Sequence, residues 1–307
     1  MTSCVIVGPG AIGLLFACRL APVLPEIALL DHRPDRAARL TESGIRLATD
    51  AETTTHRIGV YPTARDVPFA PECVLFTTKA YATSTAAEHA RPLGRSARSV
   101  VSLQNGIGNV EALANVFGRE RCIAGTTAEG ATLVGEGSVR HAGDGVTRLA
   151  AVSHESAAAT RDIARTLTEA GFATEVSGDW EGVVWAKALV NSAINPLTAL
   201  VGVRNGHFAA SASGRELVTR IATEGSAAAA EAGISVPPDM AATSLAVCEA
   251  TATNISSMRQ DFERGTRSEL DEISGIIVDR AKRAGVQAPA LSAVTLLARA
   301  KSAATRG

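Results

Sequence analysis

A glycine-rich turn near the start of the chain constrains the fold more than any other feature of the sequence. It follows the β-type run of residues 2–7 and leads into a helical apolar pattern over residues 11–20. Strand, GxGxxG turn and helix in this order are the fingerprint of a dinucleotide-binding α/β sheet, with a purely structural glycine turn as the alternative. The three glycines allow a tight turn, approach of the backbone to a pyrophosphate, and close packing of helix on strand. The motif consists of Gly8, Pro9, Gly10, Ala11, Ile12 and Gly13.

The end of the second predicted strand is where this kind of fold reads the adenosine ribose. That strand, residues 26–30, is followed by Asp31, His32 and Arg33. A carboxylate here accepts hydrogen bonds from the ribose hydroxyls and favours NAD, whereas a nearby cation favours the 2′-phosphate of NADP. Because both kinds of side chain are present, the local sequence leaves the cofactor preference open. An ordinary strand end with a solvated charge pair is the alternative interpretation.

Two polar residues follow later strands of the same predicted sheet. Strands over residues 73–78 and 99–103 place Lys79 and Asn105 beyond their C-terminal ends. Ligands of doubly wound sheets bind at that edge, so both residues are candidates for the nicotinamide end of a cofactor. A surface cation and an Asn-Gly turn are the alternatives.

The strand–helix alternation ends near residue 176 and helical patterns follow. We therefore predict an α/β dinucleotide-binding domain over residues 1–176 and a helical substrate-binding domain over residues 177–307. Within the second domain, residues 240–264 are expected to form one long helical segment. Thr266 and Glu269 fit the capping-box spacing, which is the structural alternative to any chemical role for Glu269.

One lysine in the predicted helical domain has unusual surroundings. Lys187 is the only charged residue between residues 182 and 203. On a helix, Lys187, Asn191 and Asn195 recur every four residues and share one face. A buried ammonium loses its proton readily, which suits a general acid near neutral pH; a lysine that extends to solvent is the alternative. Pro196 predicts that this helix ends or kinks at Asn195.

The whole-chain composition excludes several classes of function. A net charge of −1 and a pI near 6.6 give no reason to expect nucleic acid or an anionic membrane surface as a partner. The chain begins without a basic, cleavable leader, and a lysine, two asparagines and a proline interrupt its longest apolar run. Five scattered cysteines form no metal-binding pattern and are typical of buried thiols in a reducing compartment. We expect a cytoplasmic protein that binds no metal, and the alanine-rich helices suit a homodimer.

Sequence blocks in the right order over residues 5–285 resemble the ketopantoate reductase family (2-dehydropantoate 2-reductases). The Trp-x-Lys-x-x-x-Asn-x-x-x-Asn-Pro-Leu-Thr block is the most specific of them. The blocks are GPGAIG at 8–13, TTKAY at 77–81, LQNGIG at 103–108, WAKALVNSAINPLTAL at 185–200 and NISSMRQDFERG at 254–265, followed by Glu269. The resemblance implies an N-terminal Rossmann domain joined to an all-helical domain like that of 6-phosphogluconate dehydrogenases.

The resemblance also implies a reaction, in which NADPH reduces 2-dehydropantoate to (R)-pantoate, a precursor of coenzyme A. It assigns Lys187 as the general acid and Glu269 as the carboxylate that organises Lys187 and the substrate. By the same resemblance the substrate-binding set is Asn105, Asn191, Asn195 and Ser257, and Lys79 and Asn105 lie on the cofactor side.

Two departures from the family pattern and two other functions stay open. Thr266-Arg267-Ser268 stands where the family often has Arg-x-Thr, and Asp31 precedes the position at which many relatives carry an arginine. We expect NADPH as the cofactor, with NADH open because of Asp31. A reductase of another 2-oxo acid is the first alternative, and a non-catalytic nicotinamide-binding regulator is the second. The latter has no need of a proton donor such as Lys187.

Overall fold

The computed structural model describes residues 1–306, with side chains for residues 1–304, and divides into two compact units. The first unit contains residues 1–104 and 108–183. The second contains residues 105–107 and the chain from residue 184 onward. The domain boundary between residues 176 and 177 stays a prediction.

The described part of the first unit contains twelve strands and five α-helices. Its strands are β1 (Ser3–Val7), β2 (Glu26–Leu30), β3 (Ile45–Ala48), β4 (Thr53–His56), β5 (Gly59–Tyr61), β6 (Cys73–Phe76), β7 (Ser99–Ser102), β8 (Cys122–Thr127), β9 (Gly130–Gly135), β10 (Ser138–Gly143), β11 (Thr147–Ala151) and β12 (Thr174–Ser177). Its helices are α1 (Ala11–Leu20), α2 (Pro34–Ser43), α3 (Thr83–Ala90), α4 (Asn109–Phe117) and α5 (Ala157–Glu169).

The main sheet has eight strands in the order β12-β11-β8-β7-β6-β1-β2-β5. All neighbouring pairs are parallel except β11 with β8. The six strands from β5 to β8 have the doubly wound order of dinucleotide-binding folds, in which the order reverses between β1 and β6. The turns that follow β1 and β6 therefore lie at the edge where such sheets bind ligands.

Apolar strands and one central helix form the core of this unit. β1, β6 and β7 are buried along their whole lengths, as expected for parallel strands covered on both faces. Helix α1 packs against β1 and β2 and also against a second sheet, of order β4-β3-β10-β9. Local sequence does not encode this second sheet, because β3 pairs with β10, about 90 residues further along the chain.

The second unit is helical. Its helices are α6 (Trp180–Val201, which begins in the first unit), α7 (Gly206–Ala209), α8 (Ala212–Glu231), α9 (Met240–Ala250), α10 (Ser257–Glu263), α11 (Ile276–Ala284) and α12 (Pro289–Arg306). A π-helical turn, Asp271–Gly275, precedes α11. The α/β fold class with a helical second part, expected from the sequence, is confirmed.

Two helix boundaries differ from the predicted ones. Helix α6 continues through Pro196 to Val201, so of the predicted end or kink at Asn195 the end is wrong. Residues 192–199 are all buried, and their packing outweighs the helix-breaking effect of proline, which is about 3 kcal/mol. The predicted single helix over 240–264 is also wrong, because the chain leaves helix after Ala250 and restarts at Ser257. The Ser256 side chain caps the new helix by accepting from the Arg259 amide.

The structure also bears on the state of the five cysteines and on whether any helix could cross a membrane. Every cysteine is a buried free thiol. Among the described helices, none is both long enough and apolar enough to cross a membrane.

Candidate functional site

The glycine turn after β1 is packed so tightly that side chains are excluded from two of its positions. Gly8 has φ of 98°, and a Cβ there would lie 2.6 Å from Cγ2 of Thr78. A Cβ on Gly13 would lie 2.2 Å from the Gly8 carbonyl oxygen. That oxygen accepts from the Thr77 hydroxyl at 2.7 Å, which ties the turn to the end of β6.

Gly10 is different, because it faces open space. No described atom lies within 4 Å of a Cβ built on Gly10. Gly10 is also the N-cap of α1, where a glycine has no side chain to cap the first amides. The turn therefore leaves open space at Gly10 beside the N-terminus of α1, as a pyrophosphate site requires.

At the end of β2, Asp31 is buried and bonded to two arginines. Arg36 donates from Nη1 to Oδ2 of Asp31 at 2.6 Å and from Nη2 to the Pro9 carbonyl at 2.7 Å. Arg33 donates to Oδ1 through its amide at 3.3 Å and its Nε at 3.4 Å. Arg36 thus links the end of β2 to the glycine turn. Its place five residues after Asp31, in the first turn of α2, was the signal that could have identified it.

An open cleft lies beside this carboxylate. Its volume is about 380 Å³. The cleft is lined by His32, Arg33, Pro34, Asp35, Arg36, Arg39 and Glu136. Arg33, Arg36 and Arg39 place three guanidinium groups in the cleft, and such groups can donate charge-assisted hydrogen bonds to an anion.

Lys79 lies after β6, on a segment held by a buried polar network that the sequence analysis did not identify. Lys79 is partly buried and is the N-cap residue of a short 3₁₀ turn, Ala80–Ala82. The Gln104 side-chain amide bonds to residues on both sides of Lys79: it donates to the Thr78 carbonyl oxygen at 3.0 Å and to the Thr83 hydroxyl at 2.7 Å. The Thr83 hydroxyl in turn donates to the Asn109 amide oxygen at 2.7 Å. This network fixes the segment that carries Lys79.

Lys187 lies on α6 in the second unit. Its side chain is partly exposed, but dense protein surrounds the ammonium group. Burial lowers the pKa of Lys187 from 10.5 to about 8, while the nearby Glu269 carboxylate opposes the shift. An amine with a pKa near 8 is largely protonated at neutral pH and can give up its proton readily, as a general acid must.

Glu269 and Asn105 come together although 164 residues separate them. Glu269 is only 5% exposed and accepts from the Asn105 amide, Nδ2 to Oε2, at 3.3 Å. The Thr266 hydroxyl contacts the carbonyl oxygen of Asp261 at 3.2 Å. The pattern that fits a capping box therefore serves different contacts. Asn105, Lys187 and Glu269 form one polar cluster in the second unit.

The remaining predicted residues lie on α6 and α10. Asn191 is partly buried and Asn195 is buried, one and two turns beyond Lys187. Ser257 is exposed as the first residue of α10. The neighbouring Ser256, which the sequence analysis did not single out, lies 2.7 Å from the hydroxyl of Thr198 and joins α10 to α6.

A separate cluster in the first unit contains side chains of the kind that bind metal ions, but its surroundings disfavour a cation. Glu129, His141 and Asp144 each offer a ligand atom within 4.8 Å of the others. Nε2 of His141 already lies 2.6 Å from Glu129, and Asp144 is fully solvated at 96% exposure. The Arg19 guanidinium, 3.4 Å from Nδ1 of His141, disfavours a cation at this position.

Comparison with known proteins gives the same family for both halves of the chain. The family model described as "Ketopantoate reductase PanE/ApbA" matches residues 4–154, and its "C terminal" counterpart matches residues 179–302. The 2-dehydropantoate 2-reductase of Halobacterium salinarum is 33% identical over 297 residues, which cover 96% of this chain and 97% of that protein. The protein of the same name from Pyrococcus horikoshii is 33% identical over 298 residues, 96% of each chain.

Solved structures agree with the sequence comparisons. The crystal structure of a PanE/ApbA family ketopantoate reductase from Ralstonia eutropha has a TM-score of 0.89 at 28% identity over 100% of both chains. D-mandelate dehydrogenase, in a ternary structure with NADH and anilino(oxo)acetate, has a TM-score of 0.92 at 24% identity over 100% of both chains, and shows the fold alone. The resemblance of the sequence blocks is confirmed, and the chain belongs to the ketopantoate reductase family.

Proposed function

We propose that this protein is an NADPH-dependent 2-dehydropantoate 2-reductase, which reduces the C2 ketone of 2-dehydropantoate to the alcohol of (R)-pantoate. The observation that carries the proposal is the ammonium of Lys187, whose pKa is lowered to about 8 beside the buried Glu269. Lys187 lies within the family's most specific sequence block, and Glu269 follows the block at 254–265. The relatives that match over almost the whole chain carry this name.

Lys187 is the proton donor in this proposal. Reduction of a ketone carbon leaves an alkoxide, which needs a positioned acid of matched pKa. Burial lowers the pKa of Lys187 toward neutrality, and Glu269 keeps it high enough for the ammonium to persist at pH 7. The nearby Asn105 holds the Glu269 carboxylate by a hydrogen bond of 3.3 Å.

Amide and hydroxyl groups on the same unit bind the keto acid. Asn191 and Asn195 extend from the face of α6 that carries Lys187, and Ser257 offers an exposed hydroxyl at the start of α10. Such groups donate hydrogen bonds to a carboxylate and accept them from the substrate's terminal hydroxyl. They orient the ketone for protonation by Lys187.

The first unit holds the dinucleotide. When bound, NADPH supplies the hydride. The open backbone surface at Gly10 receives the pyrophosphate, and Lys79 lies at the sheet edge that receives the nicotinamide end.

The surroundings of Asp31 support a preference for NADPH over NADH. A carboxylate selects NAD by accepting hydrogen bonds from the ribose hydroxyls. Both oxygens of Asp31 are already bonded to Arg33 and Arg36, which also neutralise its charge. The arginine-lined cleft beside it suits the 2′-phosphate that distinguishes NADPH.

Replacement of Arg33 tests this preference. We expect Arg33→Gln to lower kcat/KM for NADPH by about 10-fold or more, the value of one charge-assisted hydrogen bond, and to change kcat/KM for NADH little. Steady-state rates with each cofactor at saturating keto acid measure the ratio. Arg161→Gln, an exposed arginine on α5 at the opposite edge of the sheet, is the matched control. Equal losses of kcat/KM with NADPH and NADH would contradict the proposal that Arg33 binds the 2′-phosphate.

The function itself is tested by mixing the purified protein with 2-dehydropantoate and either nicotinamide cofactor, and following nicotinamide absorbance. Consumption of NADPH with formation of (R)-pantoate, identified by chiral chromatography, is the expected result. Turnover of other 2-oxo acids alone would assign a different substrate within the family. No consumption by folded protein, with binding of NADPH retained, would favour a regulator without catalysis.

A further inference from the structure

The turn that follows Glu269 is contacted by the segment that carries Asn105. The Ile107 amide donates to the Glu272 carbonyl oxygen at 2.9 Å, while Asn105 donates to the Glu269 carboxylate at 3.3 Å. Glu272 lies in the π-helical turn Asp271–Gly275, a geometry that occurs often at functional sites. The segment of residues 105–107 is thus joined to the segment of residues 269–272 by one side-chain hydrogen bond and one backbone hydrogen bond.

Gly106 shows how close this approach is. It has φ of 89°, and a Cβ there would lie 2.8 Å from the Glu272 carbonyl oxygen and 3.2 Å from its Cβ. Only glycine fits both the backbone conformation and the space. The backbone of Glu272 therefore packs directly against the segment that carries Asn105.

The side chain of Glu272 has an unusual environment. It is 17% exposed, and its Oε1 accepts from Nη2 of Arg267 at 2.8 Å. Its other oxygen, Oε2, is buried and accepts no hydrogen bond from any described residue. Burial raises the pKa of Glu272, Arg267 lowers it, and the neighbouring Asp271 and Glu269 carboxylates raise it. Arg267 is the cation that favours the ionised form.

Arg267 belongs to the short loop that joins α10 to Glu269. At one end of this loop, the Thr266 hydroxyl is bonded to the Asp261 carbonyl oxygen at 3.2 Å. At the other end, Arg267 reaches over Ser268 and Glu269 to Glu272. The loop is therefore anchored on both sides of the segment that leads into Glu269.

We propose that the Arg267–Glu272 ion pair is a positioning device for Glu269, which keeps that carboxylate against Asn105 and close to the Lys187 ammonium. Neither Arg267 nor Glu272 needs to touch a substrate for this role. The inference rests on the proposed function in so far as Lys187 and Glu269 serve the reaction. Its physical consequence, the electrostatic influence of Glu269 on Lys187, is measurable without turnover.

The test is a titration of Lys187 by NMR. The chain has four lysines, at positions 79, 187, 282 and 301, so protein labelled with ¹³C at the lysine Cε gives few signals. A Lys187→Arg variant assigns the signal of interest. We expect Arg267→Gln and Glu272→Gln each to move the Lys187 midpoint by about 0.5 pH units or more toward lower pH, because Glu269 moves away and its attraction weakens. A several-fold fall in kcat for 2-dehydropantoate should accompany the shift.

Arg215→Gln is the matched control, since Arg215 forms a comparable 2.8 Å pair with Glu249 elsewhere in the second unit. It should leave the Lys187 midpoint and kcat unchanged. An unchanged Lys187 midpoint in folded Arg267→Gln protein would overturn the proposal. Arg267 is half-exposed, so its replacement should not prevent folding, and Arg267→Gln alone tests the proposal if Glu272→Gln fails to fold. A wild-type protein without turnover, combined with shifted midpoints in both variants, would overturn the proposed function and support the positioning role.

Discussion

Lys187→Ala is expected to lower kcat for the reduction of 2-dehydropantoate by about 100- to 10,000-fold, the range that a positioned general acid contributes. The physical reason is the absence of a donor for the developing alkoxide, since burial tunes the pKa of Lys187 to about 8 for this step. NADPH binding should change little, because the glycine turn and the arginine cleft belong to the first unit. Steady-state kinetics together with fluorescence titration of NADPH separate the two effects.

Two further measurements complete the experiment on Lys187. Lys282→Ala, which removes an exposed lysine on α11, is the control and should retain wild-type kcat. In the wild type, kcat/KM should fall as pH rises above about 8, because the acid must be protonated to act. A Lys187→Ala enzyme with unchanged kcat would show that another group supplies the proton.

Local sequence patterns were sufficient to predict the strands and the glycine turn that carry the proposed dinucleotide site. The glycine turn at 8–13 and the buried strands 73–76 and 99–102 are each encoded within a few residues, by chain conformation and apolar runs. The lone charge of Lys187 in an apolar helix is equally local. Its place on the face shared with Asn191 follows from helix geometry alone.

Contacts between distant segments could not be predicted in this way. The bond from Asn105 to Glu269 joins positions 164 residues apart, and no local pattern encodes it. The Arg36 bridge from Asp31 to the Pro9 carbonyl depends on how α2 packs beside the glycine turn. The continuation of α6 through Pro196 has the same origin, since tertiary burial overrides a correct local preference.

The burial that lowers the pKa of Lys187 also disfavours its charged form, and this should lower the free energy of unfolding at neutral pH. Because removal of the lysine alone would leave the buried Glu269 without its cation, the comparison starts from Glu269→Gln. Adding Lys187→Met to that variant should raise the free energy of unfolding at pH 7. In the wild type, the difference between the ordinary pKa of 10.5 and about 8 corresponds to about 3 kcal/mol at 1.36 kcal/mol per pKa unit. Because Glu269→Gln removes the carboxylate that raises the pKa of Lys187, this value is a lower bound for the comparison.

The sign of the pH dependence follows from proton linkage. The folded protein binds the Lys187 proton more weakly than the unfolded chain does, so the penalty is greatest at low pH, where both states are protonated. Between about 8 and 10.5 only the unfolded chain keeps this proton, so the penalty shrinks as pH rises and vanishes above 10.5. Urea denaturation of both variants should therefore give a gap of about 3 kcal/mol or more at pH 7 that narrows steadily as pH rises from 8 to 10.5. A gap independent of pH would mean that apolar packing of the methionine, rather than release of a desolvated charge, stabilises the protein.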